Sequence, residues 1–486
     1  MLTKKKNFNN NIVLSAILLP LVILIFFSST SIIYSIYFIS KNEILSNLSS
    51  FLIASLIWIF FYNKLRPIID NKLLNLITCL FLSKTIINFL YIYYFQLPLF
   101  NYESSYEYEV NATGDSGLAH MSVIRFIDEA PNFIAKIFHN VNFYNNKGTL
   151  IIYSLIYQSF GEFPTNVIPW DSLVVTIYSL IFFFVSKFIN NNENNNLIPI
   201  VIFILPAFFL SPLLYRDSYI VLLLSLSLFI IFNNNRNTKF YSKVLILIFL
   251  SSILFLFRKF YSFLPIIFFV IHQFFFNIKL RKLIILLLTT FISFLILYTL
   301  HNSELVFTNS IETSLQKQVV NLDPLLKLIQ YAQLIITQAE RVGGDFVSIL
   351  ENQNFFVKIF FRFCFFLISP FPWTQNINNP NIIYSFLLYL QIFISFIIYF
   401  NLFSLIKFKK LNKSYLLIII YFFIICILAV FGALQFTHYY IMSGLPLLCL
   451  TLANIQFLDL KRYSIYSLTL AVTLHMLYFV AKKFFI

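Results

Sequence analysis

The chain has 486 residues, of which 59% are hydrophobic and 11% charged, with a formal net charge of +15. A soluble domain carries about a quarter charged residues, so an ordinary soluble globular protein is excluded. The basic residues sit mainly in short breaks between apolar runs, the positive-inside pattern of a membrane protein, which excludes nucleic acid as their target.

Apolar runs long enough to span a bilayer recur from end to end, and the ten-residue alternation of a membrane β-barrel is absent. The expected fold is an all-α polytopic membrane protein of about 11–14 transmembrane helices. It forms a single multispanning domain over residues 1–486, with two larger periplasmic loops carrying short amphipathic helices. In chain order, Lys4, Lys5 and Lys6 place the start in the cytosol before a retained first span at 11–30. Spans at 44–62 and 73–95 follow, then a first outer loop at 96–169. Further spans are expected at 170–189, 197–214, 218–232, 244–257, 260–276 and 283–300. The breaks with Lys187, with Arg236, Lys239 and Lys243, and with Lys279, Arg281 and Lys282 then all fall inside. A second outer loop runs over 301–381 and includes an interfacial or re-entrant helix at 355–373, because Lys358, Arg362 and a Pro-rich end interrupt that run. Spans at 382–406, 415–434, 440–457 and 463–481 close the chain.

Polar chemistry concentrates at the outer ends of these spans. The first loop reads "GDSGLAHMSVIRFIDEAPNF", with Asp115 at the start of a helix and His120 and Arg125 further along it. Asp115 is either a helix cap or a carboxylate held at the membrane surface as a general base, with His120 beside it. Two tight tips carry charge where the positive-inside rule disfavours it: Arg216-Asp217, and Arg258-Lys259 in "LFLFRKFYSFLP". Nine arginines stand against twenty-five lysines among the 34 basic residues, and a planar, permanently charged fork suits phosphate. The bland alternative for these tips is snorkelling and turn solvation. The second loop adds "QAERVGGDF", with Arg341. Trp373 in "SPFPW" is a sugar-stacking platform or a belt tryptophan, and His438 and Tyr439 mark another outer tip. His272 and His475 lie in apolar runs and read as packed core residues, and Lys84 is the clearest charge inside a span. Cys79, Cys364, Cys426 and Cys449 lack metal-ligand spacing, so no metal site is expected. No nucleotide loop is expected among eight glycines, and no cofactor is required, although the outer carboxylates could bind a divalent metal.

The order of "GDSGLAH" at 114–120, "GTLIIYSLIYQSFGEFP" at 148–164, "LPAFFLSPLLYRDSYIVLLLSLSLF", the Arg258 hairpin, "SPFPW" and "THYYIMSGLPLL" resembles the bacterial Wzy-type O-antigen and capsule polymerases and their GT-C-fold relatives. The resemblance covers most of the chain through short motifs. It implies an inner-membrane enzyme with a periplasmic active site and undecaprenyl-diphosphate-linked glycans as donor and acceptor, with a chain-length regulator as a further partner. It implies that Arg216, Arg258 and Arg341 handle diphosphate and that Asp115 is the base; on the reading of the residues themselves, Asp217 orients the phosphate held by Arg216. Three functions remain open at this point: repeat-unit polymerase, GT-C transferase of a single sugar from a polyprenyl-phosphate donor, and flippase for lipid-linked sugars. A flippase would place its charges inside the spans around a cavity.

Overall fold

A computed structural model describes residues 43–91, 115–130, 136, 147–189, 196–205, 217–233, 240–276, 382–408, 412–432, 445–455 and 457–485. The spans expected at 11–30 and 283–300 and the second outer loop with its re-entrant helix lie outside these residues. Among the described residues the secondary structure is helical, without strands. Four helices are long and apolar enough to cross a membrane, within Glu43–Leu65, Asn71–Leu90, Pro164–Ile189 and Phe240–Phe257, and shorter apolar helices accompany them. This is the architecture of a helical membrane protein.

The chain divides into two compact units: Met1–Leu180 with Phe209–Leu222, and Ile181–Phe208 with Leu223–Ile486. Among the described residues, the first unit holds an antiparallel hairpin, α1 (Glu43–Leu65) and α2 (Asn71–Tyr91). Ser46, Ser50, Ala54, Ile57, Trp58 and Phe61 lie along one face of α1 and are buried, while Ile44, Leu48, Leu52, Leu56 and Ile59 on the other faces are exposed. Small residues four apart on the packed face, with apolar residues outward, are what a helix needs when its outer solvent is lipid. Trp58 Nε1 donates to Thr78 Oγ1 of α2 at 3.0 Å, and Tyr62 Oη donates to Asn75 Oδ1 at 2.7 Å near the turn.

The described part of the segment expected as the first loop is helical. It holds α3 (Asp115–Glu129) and α4 (Lys147–Phe160). The stretch at 147–160, within the expected first loop, is a helix buried on nearly every side. At 1.5 Å per residue it is about 21 Å long, too short to span, and an apolar helix without a wet face must be packed inside protein. A 3-10 turn, Pro164–Val167, then leads into α5 (Ile168–Ile189). The α5 window is 83% buried, against 33% for α1, so α5 is an interior helix and α1 a peripheral one. The start of α7 (Asp217–Phe232) completes this unit.

In the second unit, α6 (Leu197–Ile204) is shorter than the expected span at 197–214: the helix stops where Leu205 turns extended at ψ 124°. Pro206 follows in the sequence, and a residue before proline is driven out of the α region. Next, α8 (Phe240–Phe257) and α9 (Leu264–Phe276) are joined through Arg258 and a 3-10 turn, Lys259–Phe263. Beyond these come α10 (Ile382–Lys407) and α11 (Lys413–Gly432). The expected span at 440–457 is helical at 445–449, tightens into a 3-10 turn at Leu450–Asn454 and breaks at Ile455. The last helix, α12 (Phe457–Phe485), accordingly starts earlier than the expected 463. Tyr421 of α11 stacks on Phe268 of α9, with ring centroids 4.1 Å apart, and its Oη donates to the Phe268 carbonyl at 2.7 Å. Ile392 and Phe396 of α10 pack on Ala471 of α12. Asn401 Nδ2 ties α10 to the 3-10 turn through the Thr451 carbonyl at 3.0 Å.

Candidate functional site

Helix α2 buries the face formed by Ile77, Phe81, Lys84 and Asn88. Lys84 is therefore inside by helical spacing alone, and an ammonium there needs a partner. The partner is Asp171, one turn into α5: Nζ stands 3.0 Å from Oδ2. The Lys84 side chain has no exposure and the Asp171 side chain keeps 12%, so the carboxylate is the more open member of the pair.

Two tyrosines lie within electrostatic reach of this carboxylate. Its charge acts on the phenols of Tyr178, two turns along the same helix, and of Tyr219, in the first turn of α7. Tyr219 in turn meets Tyr153 of α4 edge-to-face, with centroids 6.0 Å apart. Four helices thus bring a cation, a carboxylate and three phenols into one region of the first unit. Tyr219 lies three residues after Arg216 in sequence.

A polar corner holds α5 in place beside it. Asn166 Nδ2 donates to Ser46 Oγ at 2.7 Å and to the Gly161 carbonyl at 2.9 Å, and the Ser46 hydroxyl also bonds the Phe160 carbonyl. Ser50 Oγ donates to the Asn166 carbonyl at 2.7 Å and accepts from Trp170 Nε1 at 3.1 Å. Gly161 has φ 111°, where only glycine is at ease, and its N–H bonds the Tyr157 carbonyl at 2.7 Å, ending α4.

Helix α3 is amphipathic, as expected, with His120, Val123 and Phe126 buried and Arg125, Asp128 and Glu129 exposed. His120 Nδ1 is 2.7 Å from Tyr157 Oη of α4. Burial lowers the imidazole from its ordinary 6.5 to about 4, so the ring is neutral at pH 7 and fastens α3 to α4. Lys136 Nζ donates to the Ala130 carbonyl at 2.8 Å and to Gln158 Oε1 at 2.9 Å, a second tie onto α4.

The other sequence candidates are placed as follows. Asp115 is the first residue of α3 and Asp217 the first of α7. Arg125 is exposed, its Nε 3.0 Å from Glu129 Oε1 one turn on. Arg258 caps the 3-10 turn in the second unit with extended backbone, and its guanidinium lies 5.7 Å from the Tyr261 ring centre. Lys259 opens that turn. Arg216, Arg341, Trp373, His438 and Tyr439 lie outside the described residues. Of the expected packed histidines, His272 is buried between the Phe232 and Phe276 rings, and His475 Nδ1 is 2.8 Å from Tyr389 Oη.

Sequence reasoning singled out Lys84 but missed Asp171, Tyr157, Tyr178 and Tyr219. The usable signal was the unexplained lysine: a buried ammonium demands a carboxylate from another apolar segment, and Asp171 in the first turn of an apolar run meets that demand. Among the described residues no group of three or more His, Cys, Asp or Glu could hold a metal ion. No family model, no curated protein and no solved structure matches the chain.

Proposed function

We propose that the chain is a membrane glycosyltransferase that polymerises undecaprenyl-diphosphate-linked repeat units at the periplasmic face of the bacterial inner membrane. The observation that carries this reading is the convergence of Lys84, Asp171, Tyr178 and Tyr219, together with α3 and α4 of the expected first loop docked on each other. Transfer between two lipid-anchored glycans needs its groups held at fixed distance from the membrane, and α4 packed on α1, with α3 docked on α4, suits that need. The chemistry needs little more. Diphosphate is a good leaving group, so the protein orients the acceptor hydroxyl, takes its proton and balances the leaving charge. In this reading Arg216 holds the diphosphate, Asp217 orients it, and Asp115 is the carboxylate that the resemblance implies as base. Transfer of a single sugar from a polyprenyl-phosphate donor would use the same groups.

A carrier for lipid-linked sugars is the second reading, favoured by one observation: Lys84 and Asp171 form an ion pair within candidate spans, where a carrier keeps its charges. Surface glycan from a deletion strain separates the readings. A polymerase predicts loss of the long ladder with a single repeat unit retained, restored by the wild-type gene. A full ladder lacking one sugar per repeat means the single-sugar transferase. Accumulation of lipid-linked units on the cytosolic side means the carrier.

A further inference from the structure

We infer that Asp171 is the proton acceptor of the transfer reaction and that Lys84 is the positioning residue that keeps its carboxylate charged and oriented. The inference rests on the glycosyltransferase reading and assigns the base to Asp171 in place of Asp115, the residue that the resemblance implies.

Burial of an ion pair inside apolar helices is a weak source of stability, because desolvating both ions costs about what their attraction returns. A pair that only joined α2 to α5 would do as well with two apolar side chains. The pair here is also asymmetric. The ammonium is sealed, whereas the carboxylate retains exposure. A cation behind a carboxylate fixes its orientation. The groups around it suit a hydroxylated ligand: the phenols of Tyr178 and Tyr219 are within its electrostatic reach and Tyr153 lies against Tyr219. The carboxylate sits on a helix anchored by the Ser46, Asn166, Ser50 and Trp170 bonds, so its position is set by backbone, not by a loop.

The step balances without a co-reactant. The acceptor hydroxyl oxygen bonds to the anomeric carbon of the donor, and the bond from that carbon to the diphosphate oxygen breaks. Undecaprenyl diphosphate leaves with the electron pair. The hydroxyl proton passes to the Asp171 carboxylate and from there to water.

The test uses full-length protein in proteoliposomes with the lipid-linked repeat unit extracted from the deletion strain. Asp171→Asn is expected to lower kcat by at least about 100-fold, the usual contribution of a general base, with little change in KM. Asp171→Glu is expected to recover part of the rate. The double variant Lys84→Met/Asp171→Asn removes both charges and is expected to melt like wild type in detergent yet be as slow as Asp171→Asn. A double variant that polymerises at the wild-type rate overturns the inference and leaves the pair a packing contact, with the proposed function intact. Wild-type protein that makes no polymer from this substrate overturns the proposed function and the inference with it.

Discussion

Lys84 and Asp171 meet across two helices, α2 and α5, with Nζ 3.0 Å from Oδ2 and the lysine side chain fully enclosed. Removing one partner strands the other charge. Lys84→Met is expected to destabilise the protein by about 3–5 kcal/mol. Lys84→Met/Asp171→Asn is expected to recover most of that loss. Heating in detergent followed by size-exclusion chromatography reads the effect; a single variant as stable as wild type would mean that the pair is solvated.

The contact between α3 and α4 should depend on pH through His120. The imidazole titrates near 6.5 when unfolded and at about 4 when folded. As pH falls, the unfolded chain therefore takes up the proton first. The stability contributed is complete above pH 6.5, falls between 6.5 and 4, and amounts to about 3 kcal/mol at 1.36 kcal/mol per tenfold difference in proton affinity. Melting temperature should drop across that window in wild type and drop less in His120→Gln. Tyr157→Phe, which takes the Oη from Nδ1, is expected to cost about 1–3 kcal/mol at pH 7.

Gly161 ends α4 at φ 111° and presents its carbonyl to Asn166 Nδ2. A Cβ is strained there, so Gly161→Ala is expected to cost about 1–3 kcal/mol. The same melting assay reads it, and a neutral result would show that the α4–α5 corner adapts.

How much of this was legible in the sequence differs by element. Helices α1, α2, α7, α8, α10 and α11 were readable because each is a continuous apolar run bounded by charge or turn residues. Helix α3 was readable from its periodicity after Asp115. Helix α4 was not, because its 14 residues are too few for a span and too apolar for a loop, and only tertiary burial resolves that conflict. The end of α6 at Ile204 was visible in Pro206 and was overridden by the greasiness of the run around it. Lys84 stood out as a charge in a span, but its partner lies 87 positions on (171 − 84), a distance that no local pattern encodes. The tyrosines around Asp171 were hidden among 29 tyrosines of a strongly aromatic chain.

The tips make a chemical prediction that charge alone does not. Arg216→Lys and Arg258→Lys keep the positive charge and lose the planar fork, so both are expected to be as deficient in polymer as the alanine variants while still inserting normally. Surface glycan gels with a membrane-insertion control read this, and full rescue by lysine would reduce the tips to simple charge.

Asp115→Asn separates the two carboxylates. If Asp171 takes the proton, Asp115→Asn should retain a kcat within about tenfold of wild type, since loss of a general base costs about 100-fold or more. Loss of activity in Asp115→Asn with Asp171→Asn unaffected would return the base to α3.

The proposed reaction makes a glycosidic bond and breaks the bond from sugar to diphosphate. Its most direct test is release of undecaprenyl diphosphate by purified wild-type protein given the lipid-linked repeat unit in proteoliposomes. Release in step with polymer growth, slowed at least about 100-fold in Lys84→Met/Asp171→Asn, is the predicted result. Lipid-linked units that cross the bilayer intact, with no undecaprenyl diphosphate released, would contradict it and make the chain a carrier.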